Sequence, residues 1–241
     1  MDLPKHKKSK NCILLTSTEE ENLKYQDKSI LSTRLADKIE KNVEINWDKF
    51  YNRNNDNFYR NRYWFRNEFP KEIFCIQNLQ FLDVGCGVGN LSFPLYQYVC
   101  KLKLDWNFTL IDFSHRAIKL VKENQYFNKD EMTALHFDIV QDLAFDGKVL
   151  QIEKFNFVTL IYVLSAIHPN NFCKVLTNIF KIMKPGGYLF FRDYAINDHA
   201  MIRFKRDRKI SDQLYVRQDG TRSYFFELNN NKRIIKKSSS I

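Results

Sequence analysis

The sequence predicts an α/β fold built on a doubly wound, mostly parallel sheet. Three observations carry this. From residue 79 onward, apolar runs alternate with amphipathic segments, as strands joined by crossover helices do. The run FNFVTLIYVLSAI (155–167) begins nearly all apolar, the pattern of a parallel strand buried on both faces. The stretch FLDVGCGVGN (81–90) sets three glycines at every second position after an apolar run, which fits a strand turning into a helix around a ligand.

Taken in order, residues 1–30 are polar, with both basic and acidic clusters, and are expected to be a disordered tail. Residues 31–70 are expected to form a helical cap rich in aromatics and arginine, with Leu35, Ile39, Val43 and Trp47 at four-residue spacing. Residues 71–226 hold the sheet. LQFLDVG, NFTLIDFS, TALHFDI, FNFVTLI and YLFFRDY read as five strands, and NLSFPLYQYVCKL, SHRAIKLVKENQ and NFCKVLTNIFKIM as the helices between them. Residues 227–241 read as a basic, polar tail ill suited to a central strand.

The composition narrows the function. The net charge of +10 lies at the two ends: residues 1–10 carry four lysines against Asp2, and residues 199–241 carry eleven Lys/Arg against four Asp/Glu. In MIRFKRDRK and YVRQDGTRSYFF the cations are interleaved with aromatics, which favours a polyanionic partner such as nucleic acid. Arg203, Lys205, Arg217 and Arg222 are the candidate phosphate contacts. The five cysteines are widely spaced, with no C-x-x-C pair, so neither a disulfide framework nor a zinc knuckle is expected, and no metal site is predicted. No apolar stretch reaches the ~20 residues of a membrane span. A soluble, intracellular protein is expected.

At the glycine turn, Gly85, Gly87 and Gly89 form G-x-G-x-G rather than the G-x-G-x-x-G of dinucleotide sites. That spacing favours a ligand with no pyrophosphate to seat. Asp112 ends the second strand, where a carboxylate can accept both ribose hydroxyls, and Asp138 ends the third, where it can accept from an adenine amino group.

The order Asp83-x-Gly85-x-Gly87-x-Gly89, Asp112, Asp138 and KPGG before the fifth strand resembles the Rossmann-like class I S-adenosylmethionine-dependent methyltransferases over residues 80–195. The segments WDKFYNRN, NRYWFRNEF, LIYVLSAIHP, FRDYAINDHAMIRFK and YVRQDGTRSYFF narrow the resemblance to the tRNA N3-methylcytidine methyltransferases. It implies S-adenosylmethionine as cofactor, with Trp47 and Tyr51 closing over it, and Ile139 and Ile161 beside it. It implies cytidine 32 of the tRNA anticodon loop as substrate, tRNA as partner and, in one branch of the family, a seryl-tRNA synthetase. The expected compartment is the cytoplasm, with the nucleus as a second. Cytidine N3 has a lone pair and no proton, so Asp193 is the candidate carboxylate to stabilise the ring as it becomes cationic, and Tyr194 the candidate to stack on it or hydrogen-bond to it. Two alternatives stay open: a small-molecule or protein methyltransferase, and a catalytically silent RNA-binding subunit. Phe226 is followed by far fewer residues than in the family, so the C-terminal strands are expected to be missing and the fifth strand's edge unpaired. Asn156 stands where many relatives open the fourth strand with an acid.

Overall fold

A computed structural model describes residues 15–55, 58–145, 147–227 and 234–236. Of the expected N-terminal tail, residues 1–14 lie outside the described residues, and much of the rest is a correction: Ser17–Asp27 form helix α1. Thr16 Oγ1 accepts from the Glu19 N–H, and the Glu19 carboxylate accepts from the Thr16 N–H at 2.8 Å, a capping box that satisfies two donors a helix start would otherwise orphan. The buried Gln26 then docks the helix, donating through Nε2 to the carbonyls of Met201, Ile202 and Phe204 at 3.3, 3.2 and 2.8 Å.

The four-residue periodicity of the cap is split into α2 (Thr33–Lys41) and α3 (Val43–Asn54). Asn42 makes the break: its Nδ2 donates to the Lys38 carbonyl at 2.6 Å, a local bond that competes with helix continuation. A short α4 (Phe65–Glu68) completes the cap.

All five predicted strands are present. β1 (Gln80–Val84), α5 (Ser92–Lys101), β2 (Asn107–Asp112), α6 (His115–Glu123) and β3 (Met132–His136) alternate. A small hairpin of β4 (Ala144–Phe145) and β5 (Lys148–Val149) precedes β6 (Phe155–Ile161), α7 (Phe172–Ile182) and β7 (Met183–Arg192). β7, β6, β1, β2 and β3 lie side by side in that order and pair in parallel. Along β6, Phe157 faces a layer with Phe81, Phe108, Leu95 and Val99, while Val158 and Leu160 face a second layer with Leu82, Val175 and Ile179. Both faces of the sheet are therefore covered by helices, which is why five of the seven residues of this strand are apolar. Asn156 supplies through its Oδ1 the acceptor for the Gln80 N–H, at 2.9 Å. The chain runs outward from β1 to β3 and returns to β6 on the other side of β1, so a crevice opens at the carboxyl ends of β1 and β6.

After β7, α8 (His199–Ile202) leads to an antiparallel meander of β8 (Lys209–Ser211), β9 (Leu214–Val216) and β10 (Arg222–Tyr224), separate from the main sheet. It joins the N-terminal segment: the Leu31 N–H donates to the Lys209 carbonyl at 2.8 Å, and Lys209 Nζ pairs with Asp27 at 2.5 Å. The cap over the crevice is thus built from both ends of the chain, where the sequence placed residues 209–224 with the sheet. The expected bare edge of the fifth strand is also corrected. β11 (Ile234–Lys236) pairs antiparallel along β7, with Ile234 opposite Phe190 and Lys236 opposite Tyr188. Two consecutive isoleucines give this basic segment the β-branched residues an edge strand favours. No helix among the described residues is long and apolar enough to cross a membrane.

Candidate active site

The chain leaves β1 through Gly85 (φ +64°) and Gly87 (φ +55°) before α5. A Cβ on Gly85 would meet Val163 Cγ2 at 2.4 Å, and one on Gly87 the Tyr51 hydroxyl at 2.8 Å. Neither position tolerates a side chain, and together they bare the backbone to the crevice. Gly89 closes the turn against the Phe93 ring. Behind it the buried Asp83 accepts from Ser92 Oγ at 2.5 Å and Thr159 Oγ1 at 2.7 Å, tying the start of α5 to β1 and β6. Burial holds its carboxyl above the usual carboxylate range.

Asp112, the last residue of β2, is buried and accepts from the N–H groups of Gly87 (2.8 Å) and Ser114 (2.9 Å). Burial pushes its carboxyl up to about 6, opposed by those two hydrogen bonds and helped slightly by Asp83 and Asp48. Asp138 lies two residues past the end of β3 rather than on it, accepting from the Val140 N–H at 2.9 Å and Gln141 Nε2 at 3.1 Å, with Ile139 buried beside it. These three residues line a cavity of ≈ 250 Å³ with Gly85, and with Trp47 and Tyr51 of α3 as its lid. The Trp47 and Tyr51 rings stack at 5.9 Å, and the buried Trp47 Nε1 has no hydrogen-bond partner.

A smaller chamber of ≈ 50 Å³ shares Trp47, Tyr51, Gly85 and Tyr162 with the first and adds Gly87, Ile161, Tyr59 and Arg62. Tyr162 holds φ +58°, a conformation a bulky residue keeps only under tertiary constraint. Its ring centroid lies 4.8 Å from that of Tyr194, with the Arg62 guanidinium 4.9 Å away. Tyr194 Oη accepts from Arg217 Nη2 at 3.2 Å, and the same guanidinium reaches Ser223 Oγ at 2.8 Å and Tyr59 Oη at 3.4 Å. Asp193 accepts from the N–H groups of Ser165 (2.8 Å) and Tyr194 (2.9 Å). Burial pushes it up to about 6, while the Arg217 charge and the Ser165 and Tyr194 hydrogen bonds pull it down. Its neighbour Arg192 is engaged elsewhere, donating to Glu68 at 2.8 Å and lying 4.5 Å over Trp64. Tyr162 and Arg62 line the smaller chamber, and behind Tyr162 lie the tilted Tyr194 ring, the Arg217 guanidinium and the Asp193 carboxylate, a setting for a flat, polar heterocycle.

The four candidate phosphate contacts divide. Arg203 and Lys205 are exposed. Arg217 instead faces inward, as described. Arg222 is a plain correction: it is buried, lines the larger cavity, donates to the Ala166 carbonyl at 3.1 Å and pairs with Glu40 of α2. Burial lowers its pKa to about 10. Sequence reasoning missed Tyr162, Tyr59, Arg62 and Glu40 as site residues. The NRYWFR and LIYVL segments that contain Arg62 and Tyr162 were the available signal.

Residues 33–237 match the family model of a methyltransferase domain. The chain is 42% identical over 224 residues to the Mus musculus protein named tRNA N(3)-cytidine methyltransferase METTL6, spanning 88% of this chain and 74% of that one. It is 35% identical over 189 residues to the tRNA(Thr) (cytosine(32)-N(3))-methyltransferase of Saccharomyces cerevisiae, spanning 75% of this chain and 29% of that one. Among solved structures, a SAM-dependent methyltransferase from Methanosarcina mazei is similar at a TM-score of 0.50 and 18% identity, over 65% of this chain and 77% of that one, a likeness of fold alone.

Proposed function

This chain belongs to the tRNA N(3)-cytidine methyltransferase family, and from that membership we propose that it forms N3-methylcytidine in the anticodon loop of tRNA, at position 32. The observation that carries the reading within the structure is the cluster of Asp193, Tyr194, Tyr162 and Arg217, which meets the glycine turn through Tyr162.

The residues present fit S-adenosylmethionine. The glycine turn is a cradle that a Cβ would fill, Trp47 Nε1 is a buried donor awaiting an acceptor, and Asp112 is an acceptor for hydroxyls. Gly85, Gly87 and Ile161 would hold its amino-acid end, and Asp112, Asp138 and Ile139 its adenosine. When bound, it supplies a sulfonium methyl group to a nucleophile. The chain's own work is then positioning and electrostatics, because cytidine N3 needs no general base. Tyr162 and Tyr194 offer rings against which a base splayed from its loop can stack. Asp193, ionised at neutral pH and fixed by two backbone donors, offers the charge that favours a cationic ring. Arg203 and Lys205 are left on the surface for the phosphate backbone. Partnership with a seryl-tRNA synthetase and a cytoplasmic location belong to the same reading, supported by the resemblance and by the cysteine pattern.

The test is methyl transfer to unmodified tRNA, alone and with the synthetase added, with product nucleosides identified by mass spectrometry. N3-methylcytidine at position 32 is the expected product. A different methylated nucleoside would keep the chemistry and overturn the site. Binding of tRNA without any product would favour a silent RNA-binding subunit.

Cofactor affinity carries a pH signature. The folded Asp112 keeps its proton up to pH of about 6, while in the unfolded chain a carboxyl loses it near pH ~4. Between those values the folded state binds more protons, so this group's contribution to stability falls as pH rises and levels off above pH 6. Hydroxyl donors prefer the ionised form, so affinity moves the other way. The dissociation constant for S-adenosylhomocysteine is expected to fall by up to about tenfold per pH unit below 6 and to level off above it. Asp112→Asn should remove the transition in calorimetric titrations. If the transition persists in that variant, another carboxyl, with Asp193 the first candidate, is responsible.

A further inference from the structure

Outside the cavities, three side chains from separate elements converge: Glu44 on the first turn of α3, His115 at the start of α6 and His136 at the end of β3. One ligating atom from each lies within 4.8 Å of the other two. Glu44 Oε1 is 3.4 Å from His136 Nε2 and 3.9 Å from His115 Nε2. The two imidazole rings stack with centroids 3.5 Å apart and planes 17° from parallel.

We propose that Glu44, His115 and His136 form a binding site for a divalent transition-metal ion of the zinc class, and that the ion pins the cap helix α3 to the sheet beside the cofactor cavity.

The chemistry of the donors selects the ion. Two imidazoles and one carboxylate suit Zn²⁺ and its neighbours, whereas Mg²⁺ and Ca²⁺ prefer all-oxygen sets. The spacing is also that of a coordination polyhedron, since ligands at about 2.0–2.1 Å from a tetrahedral ion stand about 3.3 Å from one another. The Glu44–His136 edge is already near that value. The stacked rings direct their in-plane lone pairs side by side, so His115, whose side chain is 63% exposed, must rotate out of the stack to close the other. His136 Nε2 now lies 2.9 Å from the Phe113 carbonyl. To ligate through that nitrogen His136 must give up this contact and carry its ring proton on Nδ1, leaving the Nε2 lone pair for the ion. Three protein ligands leave the fourth position to water.

The location gives the ion a consequence. α3 carries Trp47 and Tyr51, and Val43, Phe113 and Ile139 line the same cavity wall. α3 is already fastened to α6 by Asp48, which accepts from Ser114 Oγ at 2.5 Å and from the Arg116 N–H at 3.2 Å. An ion at Glu44 adds a second fastening one turn earlier and extends it to β3. Whatever holds the lid on the cavity favours the bound ligand, and the coupling is reciprocal. This coupling rests on the cofactor reading; the ion site does not.

The experiment titrates ZnCl₂ into chelator-treated protein against a chromophoric competitor, for the wild type, Glu44→Gln and His115→Gln. About one ion per chain at micromolar affinity is expected for the wild type, with each variant weakened by about tenfold or more. Both substituted side chains are substantially exposed, so the metal-free melting temperatures should match, which separates ligand loss from misfolding. Absence of stoichiometric binding by the wild type, or wild-type affinity in both variants, overturns the site. Calorimetry with S-adenosylhomocysteine follows, with and without saturating Zn²⁺. A several-fold gain in affinity in the wild type but not in Glu44→Gln supports the lid coupling, and an unchanged affinity overturns it. Failure to bind S-adenosylhomocysteine under either condition would count against the cofactor reading and leave the ion titration standing.

Discussion

Replacing Gly85 with valine should abolish binding of S-adenosylmethionine. Two effects act together. The position holds φ +64°, which costs an L-residue roughly 1–2 kcal/mol before any contact is counted. The new Cβ would then lie 2.4 Å from Val163 Cγ2 and 2.9 Å from its Cγ1, distances that require one segment to move. Val163 caps the short turn Leu164–Ala166, whose Ser165 N–H holds Asp193, so the displacement spreads from the glycine turn to that carboxylate. A loss of more than about 100-fold in affinity for S-adenosylhomocysteine, or about 2.7 kcal/mol, is expected by calorimetry, with a melting temperature lower by several degrees. Gly186→Ala is the control: φ is +76° there, but nothing lies within 4 Å of the added Cβ. It should lose stability through backbone strain alone and keep its cofactor affinity. Equal affinity in Gly85→Val and wild type would sink the assignment of the turn.

The glycine turn and β6 were readable because their constraints are local. A backbone bared to a ligand demands glycine, and a strand covered on both faces admits few polar residues, whatever the rest of the chain does. Thr16 and Glu19 were equally local, a capping-box pair at i and i+3, but the surrounding charge drew that stretch into a tail. Arg222 and Arg217 show the opposite case. Composition counts cations without saying which face they take, and Arg222 is buried against Glu40, 182 positions earlier in the chain. No window of sequence contains that pair. Tyr162 was hidden for another reason: it reads as one more apolar residue of a buried strand, while its positive φ is a tertiary feature of the end of β6, where the Arg192 carbonyl accepts the Tyr162 N–H at 2.8 Å. The strand β11 was passed over because a basic segment flanked by lysines reads as solvated, while pairing with β7 needs only the two isoleucines and a free edge.

Arg217→Ala should lower kcat/KM for tRNA by about 100-fold, close to 2.7 kcal/mol of transition-state stabilisation, with cofactor affinity changed by less than about threefold. The guanidinium reaches Ser223 and two tyrosine hydroxyls at once, and lies 5.6 Å from the centre of the Tyr194 ring. Removing it frees the Tyr194 and Tyr59 hydroxyls, and with them the wall that the proposed function sets behind the base. Arg217→Lys restores the charge but not the planar fork, so only part of the loss should return. A surface phosphate contact behaves differently: Arg203→Ala or Lys205→Ala should cost a few-fold and shrink with added salt, because screening already weakens exposed charges. The interior assignment also predicts a change that a phosphate contact cannot produce. Arg217 is among the influences that lower the Asp193 pKa against its burial, so in Arg217→Ala the acid limb of the kcat profile should move upward from about 6. A variant that lost activity with an unmoved acid limb and a reduced salt dependence would place Arg217 on the RNA backbone instead of behind the base.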